Sequence, residues 1–229
     1  MKCNFDSNRK GSLRKLQCLI LATLIFLSPF TSFSVSASAN VLSLPDQTGT
    51  SFLPMTPEQY DALIDMLHHG SDDEKRFAVD YIFDRLEGDF TGYAWNQGYS
   101  ISIGAGTYEL YGFVSYISYY AGMYIRTVVP ATLRGSNQYG YTWYAVDTDA
   151  ATSLPGSGSY EYEGTVTVSI VTPQQLYIAT AGNYTISLEE AESIGVDLEV
   201  CEYSYSVGTT TYYRFYDTSS HVEYSSIKV

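Results

Sequence analysis

Three aromatic residues at alternate positions, Tyr139, Tyr141 and Trp143, form the pattern in this chain that most favours ligand binding. Successive side chains of a β-strand point to opposite faces, so the three rings would share one face, about 7 Å apart. Tyrosine and tryptophan stack on the C–H faces of sugars and add a polar tip. The spacing predicts a carbohydrate-binding platform. The alternative is that the rings pack in a core, because both residue types are also favoured in buried strands.

Two aspartates, Asp147 and Asp149, open a long polar stretch that covers residues 147–159. Their carboxylates and nearby loop carbonyls are the oxygen ligands that calcium prefers. The loop lacks the residue order of an EF-hand, and a solvated turn explains the same residues. We therefore expect no cofactor, with calcium at Asp147 and Asp149 as the alternative.

Two glutamates, Glu161 and Glu163, lie two positions apart, which places their carboxylates on one strand face about 7 Å apart. Such a pair could provide the acid and the nucleophile of a retaining glycosidase. Thr165 and Thr167 continue the same face, however, and this is typical of ordinary solvent exposure.

The other reactive side chains give little support to catalysis or metal binding. His68 and His69 are adjacent, and adjacent helical residues point about 100° apart, which suits one metal ion poorly. The mature chain would keep a single thiol, Cys201, and no G-x-S-x-G sequence accompanies His221. We expect a protein without catalytic activity and without a metal site.

The C-terminal two thirds of the chain has the pattern of antiparallel β-strands. Residues 160–171, Y-E-Y-E-G-T-V-T-V-S-I-V, alternate between an apolar and a polar face, as in a strand that covers a core on one side. About nine or ten such segments follow one another at short spacing. The fold class predicted for residues 90–229 is an antiparallel β-sandwich, jelly-roll or immunoglobulin-like.

Residues 56–88 have the pattern of two short helices. Thr56 with Gln59 and Ser71 with Glu74 form two capping boxes, and an apolar stripe with helical spacing follows each of them. Helices of this length are not stable alone, so we expect the hairpin to pack on the β domain.

The N-terminal residues 1–39 have the pattern of a signal peptide. A basic start precedes an apolar segment, residues 16–27, and Ala37-Ser38-Ala39 fits the small-x-small cleavage rule. An uncleaved anchor is the alternative. Residues 40–55, rich in Pro, Gly, Ser and Thr, would form a linker or arm.

Charge and composition narrow the class of partner. The formal net charge is −13, and cleavage before Asn40 would make it more negative. This opposes binding to nucleic acids and to anionic membrane surfaces. The 23 tyrosines exceed what a core can bury with every hydroxyl bonded, so some must lie at a surface, as in recognition surfaces.

These observations predict a secreted, non-catalytic module that binds a carbohydrate or a cell-surface glycan, in the extracellular space or the periplasm. A structural or protein-binding exported protein is the first alternative. An outer-membrane β-barrel and a secreted glycoside hydrolase are further alternatives, and no transmembrane span is expected after signal cleavage.

Overall fold

The computed structural model describes residues 55–86 and 92–225. In this part of the chain, two helices are followed by nine strands in two antiparallel sheets. The predicted signal peptide and most of the predicted linker lie outside the described residues. Met55 is the last linker residue; it is buried, and its backbone N–H donates to Gly98 O at 2.8 Å.

The helical hairpin consists of α1 (Pro57–His69) and α2 (Asp72–Asp84). Both predicted capping boxes are present: Thr56 and Gln59 exchange side-chain-to-backbone hydrogen bonds, and so do Ser71 and Glu74. These bonds satisfy backbone N–H groups that the first turn of a helix leaves free. The sequence therefore specifies where each helix begins.

The first sheet contains the five N-terminal strands. They are β1 (Tyr93–Gly104), β2 (Thr107–Tyr120), β3 (Met123–Ser136), β4 (Gly140–Val146) and β5 (Thr152–Pro155). Strands β1 to β4 are neighbours in chain order, and β5 pairs with the other half of the β3 edge that β4 uses.

The second sheet contains the four C-terminal strands. They are β6 (Glu161–Thr172), β7 (Gln175–Ser187), β8 (Tyr203–Val207) and β9 (Thr210–Tyr224), in the spatial order β6-β7-β9-β8. A short helix, α3 (Leu188–Ile194), and a 3₁₀ turn, Leu198–Val200, connect β7 to β8.

The predicted antiparallel β-sandwich is confirmed, with a simple connectivity. Five strands belong to one sheet and four to the other, so the described chain changes sheet once, between β5 and β6. Jelly-roll and immunoglobulin-like domains distribute successive strands between their sheets. This sandwich instead joins most neighbouring strands by hairpins.

The core of the sandwich lies between the two sheets. Leu110, Val129 and Leu133 of the first sheet pack against Val168 and Ile178 of the second. A second cluster includes Ile125, Tyr184 and Phe215. These side chains are the inward-facing members of alternating strands, which is what the alternation in residues 160–171 predicts.

The helical hairpin packs on the opposite face of the first sheet. Leu63, Leu67 and Ile82 join a cluster with Phe113 of β2 and Val128 of β3. The expected docking of the hairpin on the sheet is therefore present.

Two polar contacts anchor α2 to the sheet. The buried Asn96 side chain of β1 donates to the backbone carbonyl of Ile82 at 3.0 Å, near the end of the helix. Arg126 of β3 contacts Asp80 at 2.5 Å, and its guanidinium lies 5.5 Å from the centre of the Phe83 ring.

Proline usually interrupts a strand, but β3 continues through Pro130 to Ser136. On one side Pro130 lies opposite Phe113 of β2. On the other side β4 pairs from Ala131 onward and β5 pairs up to Val128, so Pro130 faces the gap between them. A missing N–H is tolerated there because no ladder partner requires it.

Strand β7 also runs without interruption through Ala181 and Gly182, although glycine often marks a turn. A Cβ on Gly182 would lie 2.6 Å from the Tyr162 ring, so the glycine makes room for an aromatic side chain. Strand β5 lies within the polar stretch 147–159, and β9 is continuous from Thr210 to Tyr224.

None of the helices in the described ranges is long and apolar enough to cross a membrane.

Candidate functional site

The three rings of the predicted platform do not form one exposed surface. Tyr139 is 85 % exposed, whereas Tyr141 and Trp143 are each only 5 % exposed. The expectation that all three present an open face is therefore wrong. The core alternative applies to Tyr141 and Trp143. Tyr139 precedes the first residue of β4 and lies in the turn that follows β3.

The face of the sheet on which Trp143 and Tyr141 lie explains their burial. Trp143 lies opposite Leu133 in the ladder, on the face of the first sheet that meets the second sheet. Its backbone N–H donates to Pro173 O at 2.8 Å, which fastens β4 to the other sheet. The Tyr141 hydroxyl donates to Asn137 Oδ1 at 2.8 Å, so its polar tip is satisfied at the rim of the core.

An exposed aromatic surface is present elsewhere, on the hairpin of β8 and β9. We call Tyr203, Tyr205 and Tyr212 the tyrosine face. Tyr205 and Tyr212 are ladder partners, and Tyr203 lies two positions before Tyr205 on β8, so all three point to the same side. Their alternate neighbours Tyr213 and Phe215 belong to the sandwich core, so the tyrosine face points away from it.

The three rings of the tyrosine face contact one another. The ring centroids of Tyr203 and Tyr205 are 6.3 Å apart, and those of Tyr205 and Tyr212 are 5.6 Å apart with planes 20° from parallel. Tyr203 is 49 % exposed and Tyr205 39 %. Tyr216, four positions after Tyr212, extends the same side of β9 and is 47 % exposed.

The side-chain pattern of β8 is the reverse of what burial produces. Its sequence is Y-S-Y-S-V, with tyrosines on the outward side and Ser204 and Ser206 on the side of the core-facing residues. All five residues are exposed. Packing therefore gives no reason for tyrosine at Tyr203 and Tyr205, and a row of exposed aromatic residues is typical of an interaction site.

An open pocket of about 440 Å³ adjoins the tyrosine face. It lies beside Tyr212 and is lined by hydroxyl and carboxyl groups from the β7–α3 junction and the start of β9, namely Ser187, Glu189, Glu190, Ser193, Thr210 and Tyr212. This volume is within the range of small-molecule sites. Aromatic stacking and hydrogen-bond acceptors therefore occur side by side.

The cap of α3 positions the carboxylates of this pocket. Ser187 precedes the helix; its hydroxyl donates to Glu190 Oε2 at 2.8 Å and accepts from the Glu190 backbone N–H at 3.3 Å. Gly195 ends the helix in the left-handed conformation, with a φ of 74°. Glu189 is exposed beside this cap.

The outward side of the second sheet carries little positive charge. Arg214 is the only lysine or arginine between Glu161 and Tyr224. It lies between Tyr212 and Tyr216 on β9, and its guanidinium is 3.8 Å from the carboxylate of Glu163. Acidic side chains thus outnumber basic ones around the tyrosine face.

The calcium alternative at Asp147 and Asp149 finds no support from the geometry. Asp147 Oδ1 accepts from the backbone N–H groups of Asp149 and Ala150, both at 3.2 Å, as in a capped turn. Its Oδ2 contacts His68 Nε2 at 2.7 Å. In residues 55–86 and 92–225, no group of three or more His, Cys, Asp or Glu is arranged to hold a metal ion.

The glutamate pair of the hydrolase alternative lies on the outward side of β6. Both Glu161 and Glu163 are exposed, and the nearest ladder partners are Thr185 and Asn183 of β7. Glycosidase carboxylates act from opposite sides of a bond held in a cleft. A pair on an open strand surface, with Glu163 directed to Arg214, lacks that arrangement.

His221 and Ser219 of β9 contact side chains of both sheets. The His221 ring lies against the Tyr93 ring of the first sheet, with 3.8 Å between ring centroids and planes tilted by 34°, and its Nε2 lies 3.0 Å from Glu223. The Ser219 hydroxyl forms hydrogen bonds with the hydroxyl of Tyr116 and, at 2.8 Å, with the hydroxyl of Thr180. Burial raises the pKa of Glu223, although its bond to His221 opposes this shift.

A second charged and aromatic arrangement lies on the first sheet. Arg134 Nε donates to Glu109 Oε1 at 3.0 Å, and the guanidinium lies 3.4 Å from the centre of the Tyr144 ring. The Tyr111 hydroxyl donates to Glu109 Oε2 at 2.7 Å, and this bond and burial raise the pKa of Tyr111 to about 12. These groups satisfy one another, so the arrangement is already complete without a ligand.

The tyrosine face has a sequence signal of its own. Alternate tyrosines occur in Y-S-Y-S-V as they do in Y-G-Y-T-W. The difference is in the intervening residues and the position in the sheet: β8 is a short edge strand, whereas β4 is held against the second sheet.

Comparisons with protein-family models, with curated proteins and with solved structures find no match to this chain.

Proposed function

We propose that the protein is an exported, non-catalytic module that binds a carbohydrate on the tyrosine face. The observation that carries the proposal is the position of Tyr203, Tyr205 and Tyr212: three mutually contacting rings on a side of the sheet where packing does not require them. Flat aromatic surfaces stack on the C–H faces of sugar rings, and tyrosine hydroxyls can bond sugar hydroxyls at the edges.

The adjoining pocket supports the same role. Ser187, Ser193 and Thr210 offer hydroxyl groups, and Glu189 and Glu190 offer carboxylates, next to Tyr212. Sugar hydroxyl groups are hydrogen-bond donors and acceptors, so they match such a lining. A saccharide chain could stack on the rings and place one unit in the pocket.

A rigid support favours binding on this surface. Strand β9 pairs with β7 from Tyr212 to Tyr224 and with β8 along the segment that carries Tyr212. The rings are therefore held by a sheet instead of a loop, which reduces the conformational entropy lost on binding. Because the surface is shallow, the role is recognition and not chemistry.

Titration calorimetry of the purified protein with a panel of soluble oligosaccharides tests this proposal. We expect saturable binding that weakens at least about 10-fold in Tyr205→Ala, since central aromatic residues dominate binding energy. Calorimetry is preferable to intrinsic fluorescence because Trp143 is buried.

Tyr119→Ala and Tyr139→Ala are the matched controls. The first removes an exposed tyrosine from the first sheet, and the second removes one from the turn after β3. Neither should change affinity. Loss of binding in Tyr139→Ala alone would place the site at that turn. A folded protein that binds no saccharide would favour the structural or protein-binding alternative.

Export rests on the N-terminal sequence, in which a basic start, an apolar segment and Ala37-Ser38-Ala39 follow one another. Cell fractionation and N-terminal sequencing of the native protein test it. We expect a mature chain that begins at Asn40 outside the cytoplasm. An intact N-terminus on a cytoplasmic protein would contradict export.

A further inference from the structure

We propose that the binding site continues from the tyrosine face along β7 and β9 to a second pocket, so that its ligand is a long, extended polysaccharide such as a β-1,4-linked chain. The inference rests on the proposed carbohydrate-binding role and specifies its ligand class. The geometry that points to it is the position of two pockets on one side of the second sheet, beside Tyr212 and over Ala179, with the exposed Tyr216 between them.

The second pocket has a volume of about 270 Å³ and lies over the middle of β7. Ala179 and Ala181 form its floor, and they point outward because the alternate residue Ile178 belongs to the core. Alanine at two outward positions of a central strand leaves space that the usual large strand residues would fill. Hydroxyl groups from the neighbouring strands line both sides of this floor, namely Thr167 on β6 and Thr218 and Ser220 on β9.

A continuous row of ladder pairs joins the two pockets. The outward pairs of β7 and β9, which we call the β7–β9 track, are Ser187–Tyr212, Thr185–Arg214, Asn183–Tyr216, Ala181–Thr218 and Ala179–Ser220. From Tyr212 to Ser220 the strand rises about 26 Å, which corresponds to about five sugar units of an extended chain. A disaccharide would reach one pocket only, whereas a longer chain can occupy both.

Tyr216 provides a ring for stacking between the pockets. It is 47 % exposed, and it lies on the same side of β9 as Tyr212 and Thr218. Its ladder partner Asn183 is only partly buried and carries both a hydrogen-bond donor and an acceptor. A sugar ring over Tyr216 can therefore stack on the phenol and bond to the amide beside it.

The ion pair of Arg214 and Glu163 crosses β7 within the track but does not close it. The two charged groups are 3.8 Å apart, and the Glu163 side chain is 83 % exposed, so this is a weak surface contact. Both groups stay in contact with solvent, and a sugar hydroxyl can bond to either of them without burying an unpaired charge. The pair therefore contributes polar partners along the path of the chain.

A length series tests the inference by calorimetry. The probes are cello-, xylo- and N-acetylated chito-oligosaccharides from the dimer to the hexamer, which form extended chains, and malto-oligosaccharides of the same lengths, which coil. For at least one extended series, affinity should rise with each added unit up to about the pentamer, which should bind at least about 10-fold tighter than the dimer. The coiled series should gain no comparable affinity with length.

Two variants locate the added affinity on the β7–β9 track. Ala179→Gln fills the second pocket with a side chain that has neither a charge nor a ring, and Tyr216→Ala removes the ring between the pockets. Each should weaken the pentamer at least about 5-fold and leave the dimer unchanged, which also shows that the variant is folded. Tyr205→Ala should weaken every length, and Ser100→Gln, at an exposed position of β1, should weaken none.

Each contrary result has a separate meaning. Affinity that stops rising at the trimer, or binding restricted to a saccharide outside the extended series, would overturn the long track and keep the proposed function if Tyr205→Ala abolished that binding. A rise with length that survived Ala179→Gln would come from the many registers that a long chain offers to a short site, and it would also overturn the inference. A folded protein that bound none of the saccharides would overturn both the inference and the proposed function.

Discussion

Trp95 and Trp143 meet edge to face between the two sheets, with ring centroids 5.6 Å apart and planes 75° from parallel. Edge-to-face pairs add to the energy of burial because the positive edge of one ring meets the negative face of the other. The Trp143→Ala variant should therefore lose about 3–5 kcal/mol of unfolding free energy. Urea denaturation followed by circular dichroism measures this loss.

Tyr139→Ala is the control, because it removes a large ring from the same part of the chain at a position that is 85 % exposed. Its unfolding free energy should change by no more than about 0.5 kcal/mol. Equal stability of the two variants would contradict the burial of Trp143 in the core.

The elements of the fold follow closely from local sequence. The first turns of α1 and α2 are specified by Thr56 with Gln59 and Ser71 with Glu74, and those bonds form within four residues. Strand β2 occupies residues 107–120, and glycine-containing turns bound it on both sides. Such signals need no knowledge of the rest of the chain.

The site does not follow from local sequence, for a physical reason. Alternation tells which residues share a face, but it does not tell which face another sheet will cover. Tyr141 and Tyr205 have the same local pattern, yet the second sheet covers one and solvent surrounds the other. Likewise, Asp147 and His68 contact each other across 79 positions, a relation that no local pattern contains.

The close contact between Gly182 and the Tyr162 ring gives a second prediction. A Cβ on Gly182 would lie 2.6 Å from that ring and 2.7 Å from the carbonyl oxygen of Glu163, and the latter belongs to the backbone and has little freedom to move. Gly182→Ala should lower the unfolding free energy by about 1–3 kcal/mol through overpacking.

Gly158→Ala is the matched control for this prediction. Nothing lies within 4 Å of a Cβ at Gly158, so the same substitution meets open space. It should be neutral or stabilise by up to about 1 kcal/mol, because it restricts the unfolded chain. If Gly182→Ala proved as stable as Gly158→Ala, that result would contradict the tight packing of the Tyr162 ring against Gly182.

The buried amide of Asn96 gives a third prediction, on the attachment of the helices. It donates to the carbonyl of Ile82, an acceptor near the C-terminus of α2 where carbonyl groups lack helical partners. Asn96→Ala leaves that carbonyl without this donor and should cost about 1–3 kcal/mol in thermal or urea unfolding. Ser100→Ala, at an exposed position of the same strand, should be neutral; a similar loss there would point to a general effect on β1.

The ion pair of Glu109 and Arg134 predicts how stability depends on pH. The bonds from Arg134 and then from Tyr111 hold the pKa of Glu109 below its usual value of 4.5. Since folding favours the ionised form, the stabilisation is present above pH 4.5 and is lost as pH falls through the lowered value. The difference in unfolding free energy between the wild type and Glu109→Gln should therefore be constant near neutral pH and shrink in acid. Urea unfolding at several pH values measures it, with the exposed Glu161→Gln as control; a difference that widened in acid would contradict the assignment.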